Sequence, residues 1–306
     1  MALQTSGIVL PRSVALEITQ KAKDSSTIAA LSPRKPKIFE DETYLVFNGA
    51  SEAEVIAEGA QKSAYNQTVS PVVGVKFTVQ TTTRVSNQLM WADEDNQLEI
   101  IDAIQDDQAA ALGRALDYVV YHAVNPKTGA ALGAGFTALS STAVKAYLGT
   151  TSLAAATKAQ LVESIDNMVE SVNDLYEING LAMSKPYANA LRKLRTDNGF
   201  ERIFPEVPLN LAVRNIEGVP ASVSGTVNGR VLATPSNVLA FMGDFSVINW
   251  GMVRDIRAEV IPYGDPDGAG DLKRLNQVAY RTEAVYAYAV TDPNAISVLL
   301  AAVKPA

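Results

Sequence analysis

From Val73 to Arg84 the chain alternates without a break. Val73, Val75, Phe77, Val79 and Thr81 fall on one face, and Lys76, Thr78, Gln80, Thr82 and Arg84 on the other. Period-two alternation rich in Val and Thr predicts a long β-strand. The polar, Gly-containing run that precedes it from Glu52 completes a long arm. The pattern then changes period. Leu98, Ile101, Ile104 or Gln105, Gln108, Leu112, Leu116 and Val119 recur at steps of three or four. This spacing predicts one apolar stripe on a helix over Asp93–Ala123, about seven turns long. Pro126 and Gly129 end it. A long arm followed by a long helix encloses a small-molecule pocket poorly, but reaches a neighbouring subunit well.

Other elements read similarly. A short helix is expected near Ser13–Lys23. The prolines of the SPRKPK segment favour extended chain after it, and Phe39, Tyr44, Val46 and Phe47 suggest a strand entering a core. Residues 130–155 are small and apolar, and read as loop or edge. A second helix is expected over Thr157–Ile178 with Leu161, Ile165, Met168, Val172 and Leu175 on one face. A buried strand follows at Leu181–Met183, then a third helix over Pro186–Asp197 that ends at Gly199. Strands are expected at Val238–Phe241, Ile256–Ile261 and Gln277–Ala289, with a turn-rich loop at YGDPDGAGD.

Composition narrows the chemistry. The 306 residues are 47% hydrophobic and 19% charged, which suits a folded chain with one large or two smaller domains. No apolar run approaches membrane-spanning length and Met1–Leu10 lacks a signal-peptide pattern, so a soluble chain is expected. There is no cysteine, which removes disulfides, thiolate metal sites and a cysteine nucleophile. The single histidine, His122, leaves no His-cluster metal site. It ends the long helix, where a partly charged imidazole would suit the carbonyl end of the dipole. Asp93, Glu94 and Asp95 sit at the helix start. Adjacent helical side chains diverge, so capping fits them better than a cation site. Gly133, Gly135 and Ala138 match a dinucleotide fingerprint only superficially, because no strand precedes them.

Charge is uneven. Residues 1–37 carry six Lys or Arg against two acids, a net +4 in a chain of net −7. A basic arm on an acidic body suggests docking on acidic surface, its own or a neighbour's, or simply a solvated terminus. The acidic body argues against tight, sequence-specific DNA binding.

The stretch AEGAQKSAYNQTVSPVVGVKFTVQTTTRVS, set between an arm and a long helix, resembles the extended loop of tailed-bacteriophage major capsid proteins of the Hong-Kong-ninety-seven type. Glu58, Gly59, Ala60, Lys62, Val85 and Ser86 carry the match, with Ser63 where the family usually has Pro. LAMSKPYANALRKLRTDNG, Ile216–Pro220, Gly243-Asp244-Phe245 and Asp292–Ile296 follow in the family's order, so the resemblance spans nearly the whole chain.

The resemblance implies an α+β fold. It places an N-terminal arm and a strand leading inward over residues 1–50, and an extended β-hairpin loop over 51–84. A peripheral domain with a long spine helix would occupy 85–125 and 239–290, and an axial domain 126–238 and 291–306. It implies a structural protein, not an enzyme, with no cofactor and no metal. The subunits would form hexamers and pentamers of an icosahedral shell in the virion, around double-stranded DNA bound without sequence specificity. Assembly would take place in the host cytoplasm, away from membranes. Expected partners are other copies, a portal, a possible decoration protein and, given a chain that starts almost at the arm, a separate scaffolding protein.

Some members cross-link their shells by attack of a loop lysine on an asparagine of another subunit, with a glutamate as base. By motif position these would be Lys62, Asn276 and Glu283. The alternative is an intersubunit salt bridge at Lys62 and a turn-capping role for Asn276. Asn276 and Glu283 lie an odd number apart, so the chemistry needs a bulge or turn between them. Two rival readings are an encapsulin-type nanocompartment that packages a cargo enzyme, and a soluble enzyme on an α/β axial-like domain. The second would need convergent polar residues at strand ends, and the sequence offers none.

Overall fold

A computed structural model describes residues 26–35, 43–48, 53–62, 64, 68–88, 90, 100–172, 176–199, 201–229 and 236–305. The expected helix at Ser13–Lys23, the acids Asp93–Asp95, and Phe39, Ser63, Leu98 and Leu175 lie outside the described residues.

Three sheets organise the described residues. Strands β1 (Thr43–Asn48) and β2 (Thr68–Val73) form an antiparallel pair of their own. After Gly74 the chain enters β3 (Val75–Ser86), which pairs along β10 (Gln277–Val290) from Gln277↔Ser86 to Tyr288↔Val75 without a register break. On its other side β10 pairs with β9 (Ile248–Ile261). The sequence reads Val247–Trp250 as a continuation from Gly243-Asp244-Phe245 and Ile256–Ile261 as another strand. The two pieces are one strand carrying two bulges, because Glu283↔Arg257, Val285↔Arg254 and Tyr286↔Met252 skip two β9 residues. Period two fails at each bulge, which hides the continuity from a pattern reading.

Helix α1 (Thr27–Leu31) is short. Helix α2 (Ile100–Asp117) carries the expected stripe, with Gln108, Ala109, Leu112 and Leu116 buried. It then widens into a π-helical turn at Tyr118–His122 and stops at Ala123, whose φ of 52° is left-handed. The other α-helices among the described residues are α3 (Leu139–Thr142), α4 (Lys158–Ser171) and α5 (Lys185–Lys193). A Thr157–Gln160 capping box opens α4. It ends at Val172 rather than Ile178, and α5 ends at Leu194 rather than near Asp197, each through an extended C-cap residue. Neither end carries a Gly or Pro stop signal, so the apolar spacing overruns the helix.

The six-stranded sheet runs β4 (Val144–Tyr147), β11 (Ile296–Leu300), β8 (Val238–Gly243), β5 (Gly180–Met183), β7 (Val219–Val223), β6 (Asn215–Ile216). The 130–155 stretch thus supplies an edge strand, β4, as one of its two readings expected. Both faces of the sheet are covered. Val238, Phe241, Ala182, Ile296 and Val298 face the core built on α2. Leu239, Ala240, Met242, Leu181 and Met183 face the core that holds α4 and α5. A register shift at Leu299/Leu300 places an extra residue in β8, which is why neighbours Leu239 and Ala240 share one core. The α2 core also takes Ala284, Tyr286 and Tyr288 from β10, so it joins the six-stranded and three-stranded sheets.

Candidate assembly surfaces

The β1–β2 hairpin stands apart from both cores. Tyr44 and Val46 are half-buried on β1, as a strand reading requires, but β1 pairs with β2 rather than entering a core. Its other face is open. Thr43, Leu45, Val69, Pro71 and Val73 are all exposed, Leu45 to 67% and Val73 to 60%. A two-stranded hairpin is marginal on its own, and a contiguous apolar face on one marks a place where something docks. Between the strands, residues 53–62 are exposed throughout and turn at Gly59, whose φ is 80°.

At the far end of β10, the 262–276 loop is held by two arginines. Arg84, on β3, donates from Nε to both Asp267 carboxylate oxygens at 2.9 Å and from a terminal nitrogen to Asp265 Oδ1 at 3.0 Å. Arg281 donates to Pro266 O at 2.7 Å and to Thr82 Oγ1 at 3.1 Å. The hydrogen bond from Arg84 lowers the Asp267 pKa below the ordinary carboxylate value. Sequence reading placed Arg84 on the polar face of the strand but gave no means to find its partners, nearly two hundred residues away.

The cross-link candidates are not brought together within one chain. Lys62 is exposed near the hairpin tip. Asn276 is the left-handed residue (φ 54°) that turns the chain into β10, and its Oδ1 accepts from Asn87 Nδ2 at 2.7 Å. Glu283 is exposed on β10 opposite Gln80. Six strand steps separate Gln277, the residue after Asn276, from Glu283, roughly 20 Å at about 3.3 Å each. The bulges that could alter this spacing lie in β9, not in β10.

His122 occupies the last helical turn, but not as a charged dipole partner. Its Nε2 lies 3.2 Å from Thr226 O and 3.1 Å from Val227 O, so it serves as the N–H donor to both. Burial lowers its pKa, and the neutral ring ties the helix end to the 224–229 loop.

Sequence reading missed Asp117 entirely. It lies in the apolar run ALDYVVYHA and is fully buried. Its carboxylate accepts from Thr27 N at 2.9 Å, Thr27 Oγ1 at 3.0 Å and Ile28 N at 3.3 Å, and from the hydroxyls of Ser26 and Thr226. A lone Asp between Leu116 and Tyr118 was the available signal. Among the described residues, no group of three or more His, Cys, Asp or Glu is placed to hold a metal ion. No described helix is long and apolar enough to cross a membrane.

The chain matches the phage capsid family over residues 6–300. No curated protein matches it. A solved chain from Mycobacterium phage Ogopogo superposes with a TM-score of 0.78 at 33% identity, covering 90% of this chain and 91% of that one. A chain from Gordonia phage Cozz gives 0.74 at 27% identity, covering 91% and 87%. The capsid of an empty GTA particle shares the fold at 0.59 and 12% identity, covering 98% and 93%.

Proposed function

We propose that this chain, which belongs to the phage capsid family, assembles as hexamers and pentamers into a closed icosahedral shell around double-stranded DNA. Its fold is the α+β fold of tailed-phage major capsid proteins, and the family role is that of a structural shell subunit. The observation that carries the assembly reading is the hairpin face of Thr43, Leu45, Val69, Pro71 and Val73. It is apolar, exposed, and carried on a pair of strands too small to be stable for its own sake. A second copy of this chain is the occupant the reading assigns to it. Repeated around a ring, individually weak contacts of this kind add up.

In this reading, residues 85–125 and 239–290 form the peripheral domain, and 126–238 with 291–306 the axial domain. On these bounds the chain passes between the two domains three times, at 125/126, 238/239 and 290/291. A scaffolding protein, a portal and a decoration protein are the partners such a shell calls for, with assembly in the host cytoplasm.

Size-exclusion light scattering with negative-stain microscopy tests the reading. Wild-type protein should give rings of five or six, tubes or closed shells. Leu45→Asp with Val73→Asp should remain folded and sediment as a monomer. A wild-type protein that stays monomeric or dimeric across salt and concentration would sink the proposal.

A further inference from the structure

Asp117 ends α2 with its carboxylate out of solvent and no cation among its hydrogen-bond partners in the described residues. Oδ1 accepts from the Ser26 hydroxyl and Ile28 N, and Oδ2 from Thr27 N, Thr27 Oγ1 and the Thr226 hydroxyl. Burial raises the pKa of this carboxyl, and the hydrogen bonds from Ser26, Thr226, Thr27 and Ile28 oppose that shift. Ser26 also caps α1 by accepting from Ala29 N at 3.2 Å, so the helix has a cap without Asp117. A buried charge is costly unless hydrogen-bonded throughout, far beyond what a five-residue helix requires.

The same segment is fixed again further along. Ser32 Oγ donates to Ile248 O at 2.8 Å, Trp250 Nε1 donates to Ser32 O at 3.0 Å, and Lys35 N donates to Trp250 O at 2.9 Å. Residues 26–35 therefore form a strap. It is tied to α2 at one end and to β9 at the other, with Ile28 inserted in the core between them. Four of the five Asp117 contacts come from the strap, and the fifth comes from the loop that His122 also holds. If the strap lifts, the carboxylate loses most of its donors at once and is left stranded.

We propose that Asp117 is a latch for the strap of residues 26–35, and that a seated strap governs whether the subunit is competent to assemble. Asp117 is a positioning residue: it acts through the strap. The assembly half of this inference rests on the capsid reading above; the latch half does not.

The test uses full-length chain carrying Asp117→Asn, Thr226→Val or Thr226→Ser, read by hydrogen exchange and by particle counts in micrographs. Asp117→Asn should raise amide exchange within residues 26–35 at least tenfold while α4 and α5 exchange as in wild type, and particle yield should fall. Thr226→Val, which removes a donor outside the strap, should raise exchange within the strap in the same direction. Thr226→Ser, which keeps the hydroxyl, should restore wild-type exchange. If Asp117→Asn fails to fold, the Thr226 pair decides. Wild-type exchange in the strap of Thr226→Val overturns the latch. Raised exchange with an undiminished particle yield overturns its role in assembly. If the wild-type chain forms no particles at all, the capsid reading fails, and strap exchange still decides the latch.

Discussion

Gly243 and Ala295 meet where the chain leaves the six-stranded sheet and where it returns. A Cβ on Gly243 would sit 2.1 Å from the Ala295 carbonyl oxygen, and the φ of Gly243 is 146°. Asp244 N donates to that same oxygen at 3.0 Å, which holds the two crossings together. Gly243→Ala should therefore destabilise the monomer by about 3 kcal/mol or more, combining backbone strain with overpacking against immovable backbone. Denaturant unfolding checks this; a loss under about 1 kcal/mol would mean that the crossing relaxes.

Gln108 holds α2 to the three-stranded sheet. Its Nε2 donates to Thr83 Oγ1 at 3.0 Å and to Tyr280 O at 3.1 Å, while its Oε1 accepts from the Thr282 hydroxyl. Gln108→Leu is similar in size but leaves buried polar groups on β10 without this partner. The expected cost is about 1–3 kcal/mol in unfolding free energy. An unchanged midpoint would show that water replaces the side chain.

His122 makes stability fall in mild acid. Its folded pKa lies below the unfolded value, so its contribution is fully present above the unfolded pKa of about 6.5. That contribution is lost as pH falls through the folded value. With a single histidine in the chain, the slope just below pH 6.5 is attributable. Thermal melts of His122→Gln should lack that part of the slope; parallel pH curves for variant and wild type would refute the assignment.

Arg84→Lys keeps the charge but loses the planar fork that engages both Asp267 oxygens and Asp265. Amides of 264–272 should exchange faster, and added salt should have less effect on them than in wild type. The melting temperature should hardly move, because the aspartates are exposed to solvent. A large drop in melting temperature would contradict this account.

Assembled particles should run as a single monomer band on a denaturing gel. Asn276 is engaged by Asn87, and Glu283 lies six strand steps, roughly 20 Å, beyond Gln277 at the start of β10. A ladder of covalent multimers that disappears in Lys62→Arg would instead show that a neighbouring subunit supplies the missing base.

Sequence alone determined what local periodicity controls. The alternation through Phe77 and Val79 became β3, the stripe through Leu112 and Leu116 became the buried face of α2, and Gln277 to Ala289 became β10. The order of the motifs was legible for the same reason, since each is a short run whose meaning does not depend on distant residues. Tertiary structure decided the rest. Both β9 bulges, the early end of α4 and the free standing of the β1–β2 hairpin depend on what packs alongside, which spacing cannot encode. Asp117 and Arg84 show the limit most plainly. A carboxylate in an apolar run and an arginine on a polar face carry no label of their partners. Those partners come from segments 26–28, 226 and 265–267, and only folding sets them within hydrogen-bonding reach.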